Sequence, residues 1–263
     1  MWLSAGAVQL RERAEALAPG PAPRLNPRLG DMRQIQRHRV TMVTGKGGVG
    51  KTTVALSLAA SRSGARLIQF DKASGPEFAD AERLVLSSER AVENAATKLL
   101  GSRRLARTLL GRESVKDLLS LSDAVRVVSL MERVRELHAQ GHPLVIDMPA
   151  TGHALAWFRS IRVFRKLTRR GSAHDFIARI EEEILHPGVL DVWAVSIPTP
   201  VALSETAELC EALKKEMAIE ARVVINRWVK GPEHAPFDGI VHRLPEFPRI
   251  PYSDVGRMLG AAA

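Results

Sequence analysis

A chain of 263 residues, 45% of them hydrophobic and 25% charged, can bury one sizeable α/β core but contains no apolar run long enough to cross a bilayer. Its net charge of +9 suits nucleic acid, an anionic membrane surface or an acidic protein, and equally a high-GC proteome that merely favours arginine over lysine. The single cysteine, Cys210, excludes a disulfide within the chain, and the opening MWLSAGAVQL lacks the basic start of a secretory signal; the expectation is a cytoplasmic protein, at most peripheral to a membrane.

In chain order, residues 1–38 read as a flexible tail. LAPGPAPRLNPRLGD is rich in proline and poor in apolar residues, and VQLRERAEAL before it offers only a short helix. Met32 could itself serve as a start, so residues 1–31 read as a loose tail or as an addition to the natural product. From position 39 strand and helix signals alternate. RVTMVT (Arg39–Thr44), ARLIQFD (Ala65–Asp71), PLVIDMP (Pro143–Pro149), DVWAVSI (Asp191–Ile197) and ARVVINRWV (Ala221–Val229) are continuous apolar runs of strand length. Such runs fit strands covered on both faces, so residues 39–263 predict a doubly wound, mostly parallel α/β sheet. Helical insertions are expected at about 75–140 and 154–188, forming a layer beside the ligand site. TPVALSETAELCEALKKEM is the clearest single helix, with Thr199 as its cap, Pro200 at its first position and lysines in its last turn. Cys210 falls on its buried stripe with Leu213 and Met217 and reads as an inert core thiol. His138 and His142 flank a glycine turn and read as surface residues.

The segment GKGGVGKTT, Gly45–Thr53, joins the first strand to an apolar helix and satisfies G-x-x-x-x-G-K-[ST] through Gly45, Gly50, Lys51 and Thr52. Backbone N–H groups along Gly45, Gly47, Gly48, Val49, Gly50, Lys51, Thr52 and Thr53 can turn inward as an anion-binding nest, and the helix directs its positive end at the same point. Lys51 is expected to reach the β- and γ-phosphates of ATP, and the Thr52 hydroxyl to complete a Mg²⁺ shell. Lys46 is a second lysine that such a loop does not need. Its place suggests a cation delivered to the γ-phosphate of a facing subunit, as an arginine finger is. The alternative is a solvated loop lysine.

KGGVGKTT resembles the deviant Walker A of the dimeric P-loop ATPases, which include partitioning and division-site proteins, the nitrogenase iron protein and the arsenite-pump ATPases. Within that group VIDMPATGHAL (Val145–Leu155) is similar to the second switch of the arsenite-pump and tail-anchored-protein-targeting branch, usually D-T-A-P-T-G-H-T-L. PTPVALSETAELCEALKK with VVINRW, and RIPYSDVGRMLG, resemble the branch's later segments, so the likeness runs over about residues 39–260. It implies an ATPase that couples nucleotide-dependent dimerisation to the binding of a client. Asp147 would hold Mg²⁺ through water, and Gly152 would offer its N–H to the γ-phosphate, with Thr151 and His153 moving alongside it. Asn226 would contact adenine, Pro251 would lie in the segment that closes over the base, and Asp71 would orient the attacking water. Asp71 can also be read as a strand-end acid capping the turn that follows.

The chain departs from the branch in places. Its first switch reads DKASGPEF instead of D-P-A-H, with Lys72 for proline and Ser74 for histidine. One cysteine cannot supply arsenite-sensing thiolates, C-x-x-C zinc ligands or a bridged iron–sulfur cluster, so neither zinc nor such a cluster is expected. After the second switch, HALAWFRSIRVFRKLTRRGS spaces Trp157, Phe158, Ile161, Phe164 and Leu167 at helical intervals among arginines. That helix would bind an acidic client or anionic lipid, or else pack into the core with a solvated arginine face. Expected partners are therefore a second copy or a related ATPase, with a client protein. Alternative functions on the same loop are a partitioning or positioning ATPase acting on DNA or membrane, and a small-molecule kinase or ligase.

Overall fold

The computed structural model describes residues 40–76, 81–113, 115, 122–149, 154–228, 241–245 and 252–260. The tail expected over 1–38 lies outside these residues, and all that follows concerns the unit Ile35–Ala263.

Seven strands form one parallel sheet: β1 (Val40–Gly45), β2 (Arg66–Phe70), β3 (Glu82–Leu86), β4 (Leu144–Asp147), β5 (Leu190–Ser196), β6 (Arg222–Ile225) and β7 (Val241–Arg243). Their spatial order is β3-β2-β4-β1-β5-β6-β7. The connection that leaves β1 runs toward the β3 edge and the one that leaves β5 runs toward the β7 edge, so the crevice at the carboxyl end of β1 is the place where ligands bind in such sheets. The acid-bearing β4 pairs directly with β1, Val43 lying opposite Asp147. On its other side β1 pairs with β5 along its whole length, from Val40 opposite Leu190 to Gly45 opposite Val195. All six residues of β1 are buried, as a central strand covered on both faces requires.

Eight helices cover the sheet among the described residues: α1 (Lys51–Ala60), α2 (Ser88–Leu100), α3 (Arg103–Leu110), α4 (Asp123–His138), α5 (Ala154–Leu167), α6 (Ser172–Glu183), α7 (Pro200–Met217) and α8 (Tyr252–Gly260). On one face Val54, Leu56, Leu58 and Val255 pack with Val43, Val145, Trp193 and Val224 of the strands. On the other, Leu130, Met131 and Val134 of α4 and Trp157, Phe158 and Ile161 of α5 pack with Val40, Met42, Ile68 and Ile146. Helices α2–α6 fall between Ser88 and Glu183.

Two strands depart from the sequence reading. Glu82–Leu86 was expected to begin a helix, yet it pairs in parallel with β2, Ile68 lying opposite Leu84. ERLVL runs without a break into SERAVENAATKLL, and the helical spacing of the second masks the five strand residues. The boundary is Ser87, whose hydroxyl caps α2 by accepting from Arg90 N. β7 is a three-residue edge strand on β6, too short for a periodicity to register. Helix α7 begins as expected, with the Thr199 hydroxyl accepting from Ala202 N and Pro200 in its first turn. Its buried stripe is Ala202, Leu203, Thr206, Leu213 and Met217, while Cys210 is half-buried against Leu203, Val223 and Ile225.

Candidate functional site

Strand β1 ends at Gly45, whose φ of 144° and close approach to β5 suit only glycine: a Cβ there would stand 2.2 Å from the Val195 carbonyl oxygen. The chain then turns through Lys46–Val49 and enters α1 at Gly50, itself left-handed at φ 97°. The bare N-terminus of α1, with no side chain capping it, leaves its N–H groups directed into the cradle. The lysine after Gly50 is drawn in. Lys51 is buried, and its Nζ donates to the Lys46 carbonyl at 2.8 Å, closing the loop on itself. Burial holds the Lys51 ammonium below the ordinary lysine range, against the pull of Asp147.

Thr52 and Asp147 meet across the two adjacent elements, the Thr52 hydroxyl donating to Asp147 Oδ2 at 2.8 Å. Burial raises the Asp147 carboxyl above the usual aspartate range; hydrogen bonds from Gln69 and Thr52 and the charges of Lys51 and Arg83 act in the opposite direction. A hydroxyl and a carboxylate side by side are hard oxygen donors of the kind Mg²⁺ takes.

Lys46, unlike Lys51, has an exposed partner outside the loop. Its Nζ lies 2.8 Å from Glu205 of α7, with 57% of the lysine and 46% of the glutamate side chain exposed. Asp71, at φ 60°, spends both carboxylate oxygens on Ser88: Oδ1 accepts from the N–H at 2.8 Å and Oδ2 from the hydroxyl at 2.7 Å. It thereby holds the first turn of α2, seventeen residues on, a partner that neither sequence reading of Asp71 named. Asn226 donates from Nδ2 to the Val49 carbonyl at 2.9 Å, and so braces the phosphate loop from beneath. Gly152, with Thr151 and His153, and Pro251 lie outside the described residues. The structure therefore gathers the Gly45–Thr53 loop, Asp147 and Asn226 in one place, while the side chains of Lys46 and Asp71 are held by Glu205 and Ser88.

Sequence reasoning missed Gln69. Buried in β2, it donates from Nε2 to Asp147 Oδ2 at 2.9 Å and to the Ser74 carbonyl at 3.0 Å, while its Oε1 accepts from Ser74 N at 3.0 Å. A polar residue inside the run RLIQF was the available signal. Glu205 was missed as well, and nothing in α7's pattern distinguishes it from the helix's other acids.

The basic helix α5 buries Trp157, Phe158 and Ile161. Arg159 pairs with the Glu216 carboxylate, Arg162 with the Glu216 carbonyl and Arg165 with Glu181, so these three arginines are tied to α7 and α6. Val163 and Leu167 remain on its outer face. No helix among the described residues is long and apolar enough to cross a membrane.

A parallel sheet whose first strand turns through a glycine-rich anion nest into a helix, with an acid on the neighbouring strand beside the helix's first hydroxyl, is the architecture of a P-loop nucleotide hydrolase. A family model described as an AAA domain matches residues 7–152, more than half of the chain, and the chain belongs to that family. The matched span carries the whole cradle, Asp71 and Asp147. No curated protein matches the chain.

Proposed function

We propose that this AAA-domain protein is an ATP-hydrolysing switch of the type represented by the arsenite-pump and tail-anchored-protein-targeting ATPases. It pairs with a second copy or a related chain while ATP is bound, and releases a client protein after hydrolysis. The observation that carries the reading is the divergence of the loop's two lysines. Lys51 turns inward and is held by a carbonyl that a phosphate can replace, whereas Lys46 turns outward onto a solvent-exposed partner. An outward lysine at the rim of a phosphate cradle can serve a nucleotide other than its own.

In this reading Lys51 exchanges the Lys46 carbonyl for the β- and γ-phosphates, and the N–H groups of Gly47–Thr53 take the remaining phosphate oxygens. Thr52 and Asp147 would hold Mg²⁺, which when bound neutralises charge on the β- and γ-phosphates. Asp71 orients water only after it gives up Ser88, so turnover is accompanied by a rearrangement of the segment after β2. Asn226 would reach adenine by releasing Val49, and by the resemblance alone Gly152 would serve the γ-phosphate and Pro251 the base. Val163 and Leu167, exposed on α5, the helix that follows the second switch in sequence, would offer a client an apolar surface.

The test is the solution mass of Asp71→Asn, by light scattering on a sizing column, in Mg-ATP and in Mg-ADP. The expected result is a dimer in ATP and a monomer in ADP, with the added change Lys46→Ala abolishing the dimer. A monomer in both nucleotides, with ATP binding intact, would overturn the self-pairing switch. Phosphate release that requires a small acceptor would point to a kinase or ligase instead.

A further inference from the structure

We propose that Gln69 is a positioning residue that couples the metal-holding carboxylate of Asp147 to the loop following β2; this rests on reading Thr52 and Asp147 as a Mg-nucleotide site. A buried position in β2, covered on both faces, suits an aliphatic side chain, and an amide there is costly unless its polar atoms are partnered. Gln69 has such partners, and they are of two kinds. One is Asp147 Oδ2, the oxygen that also accepts from Thr52. The other is the Ser74 peptide, whose N–H and C=O are both engaged as a neighbouring strand would engage them. Asp147 demands a donor and the Ser74 N–H demands an acceptor, which together fix which end of the amide is oxygen.

The loop is tied to the metal pair a second time. Gly75, at φ 81°, lies so close to α1 that a Cβ would stand 3.0 Å from Thr52 Cγ2 and 3.1 Å from Leu56 Cδ1. Thr52, Asp147, Gln69, Ser74 and Gly75 thus form a closed ring of contacts. Arg83 of β3 adds a hydrogen bond to the Pro76 carbonyl at the loop's far end. Because Gln69 grips the backbone of residue 74, the identity of that side chain is immaterial, and the serine found there leaves the coupling in place. When Thr52 and Asp147 reorient toward a cation, the rigid amide carries the shift to Ser74. The same loop begins at Asp71, which holds the N-terminus of α2, so the movement is passed on to the helical layer.

The test compares the wild-type chain with Gln69→Leu and Gly75→Ala, the second reaching the same ring from an exposed loop. Affinity for a fluorescent ADP is measured in EDTA and in Mg²⁺, with amide hydrogen exchange of the 71–76 segment under both conditions. In the wild type Mg²⁺ is expected to tighten ADP and to protect the segment. For Gln69→Leu the EDTA affinity stays within about twofold, while the Mg²⁺-dependent gain falls about tenfold, as for other groups that orient a metal ligand, and the protection is lost. Gly75→Ala should reproduce both losses. A folded Gln69→Leu that keeps the full Mg²⁺ gain and the protection overturns the proposal. If that variant does not fold, Gly75→Ala decides, and its retention of both effects overturns it equally. Failure of the wild type to bind ADP at all would overturn the phosphate-site reading itself, and the proposal with it.

Discussion

Replacing Gly45 by alanine tests whether the phosphate loop is fixed by its seat on the central strand pair. The new Cβ would stand 2.2 Å from the Val195 carbonyl oxygen and 3.2 Å from its carbonyl carbon. Val195 cannot retreat easily, because it is paired with Gly45 on one side and with Val224 on the other. Overpacking of this kind costs about 1–3 kcal/mol. Holding alanine at a φ of 144° costs about 1–3 kcal/mol more. A total near 4 kcal/mol lowers the melting temperature of a domain this size by about 8–16 °C. Gly48→Ala is the control: its φ is 79°, but nothing lies within 4 Å of the new methyl, so only the backbone cost of about 1 kcal/mol remains. Calorimetry of the nucleotide-free protein at one scan rate measures both. Melting temperatures of the two variants within about 2 °C of each other would refute the reasoning, since β5 would then be yielding to the methyl at little cost.

Other outcomes follow from the same geometry. Asp71→Ala removes the acceptor for Ser88 and should destabilise the protein by about 1 kcal/mol in urea titrations. Asp71→Asn keeps an acceptor oxygen and should retain most of that stability while losing turnover; equal loss of stability in both variants would make the cap interpretation wrong. Burial holds the Lys51 ammonium low, so Mg-free ADP affinity should weaken as pH rises through that lowered range, before an ordinary lysine would lose its proton. Phosphate restores the charge, so binding at alkaline pH should take up a proton, which calorimetry in buffers of different ionisation enthalpy can detect; Lys51→Arg should remove that uptake. Burial pushes the Cys210 thiol up to about 11, so iodoacetamide at pH 8 should label it slowly in the native protein and rapidly in urea. Fast native labelling would contradict its packing against Leu203, Val223 and Ile225.

The parts of this protein legible in the sequence are the ones encoded by contiguous residues. Nine consecutive positions, Gly45–Thr53, specify the nest, its lysine and its hydroxyl, because a turn with inward N–H groups depends on local backbone freedom. The apolar runs of β1, β4 and β5 and the cap of α7 are local in the same sense. β3 was lost because its five residues merge with the period of α2, and β7 because three residues carry no period at all. Within the site, the long-range contacts were decided only by tertiary structure. Gln69 is 78 residues from Asp147, and Asn226 is 177 from the Val49 carbonyl it supports. Asp71 at a strand end could orient water or cap the turn that follows it, and the approach of Ser88, supplied by the placement of β3 beside β2, gave its carboxylate a helix start that neither reading named. Side-chain chemistry and loop conformation are properties of short segments; which donor meets which acceptor depends on the order of strands in the sheet, and that order is set by packing across the whole chain.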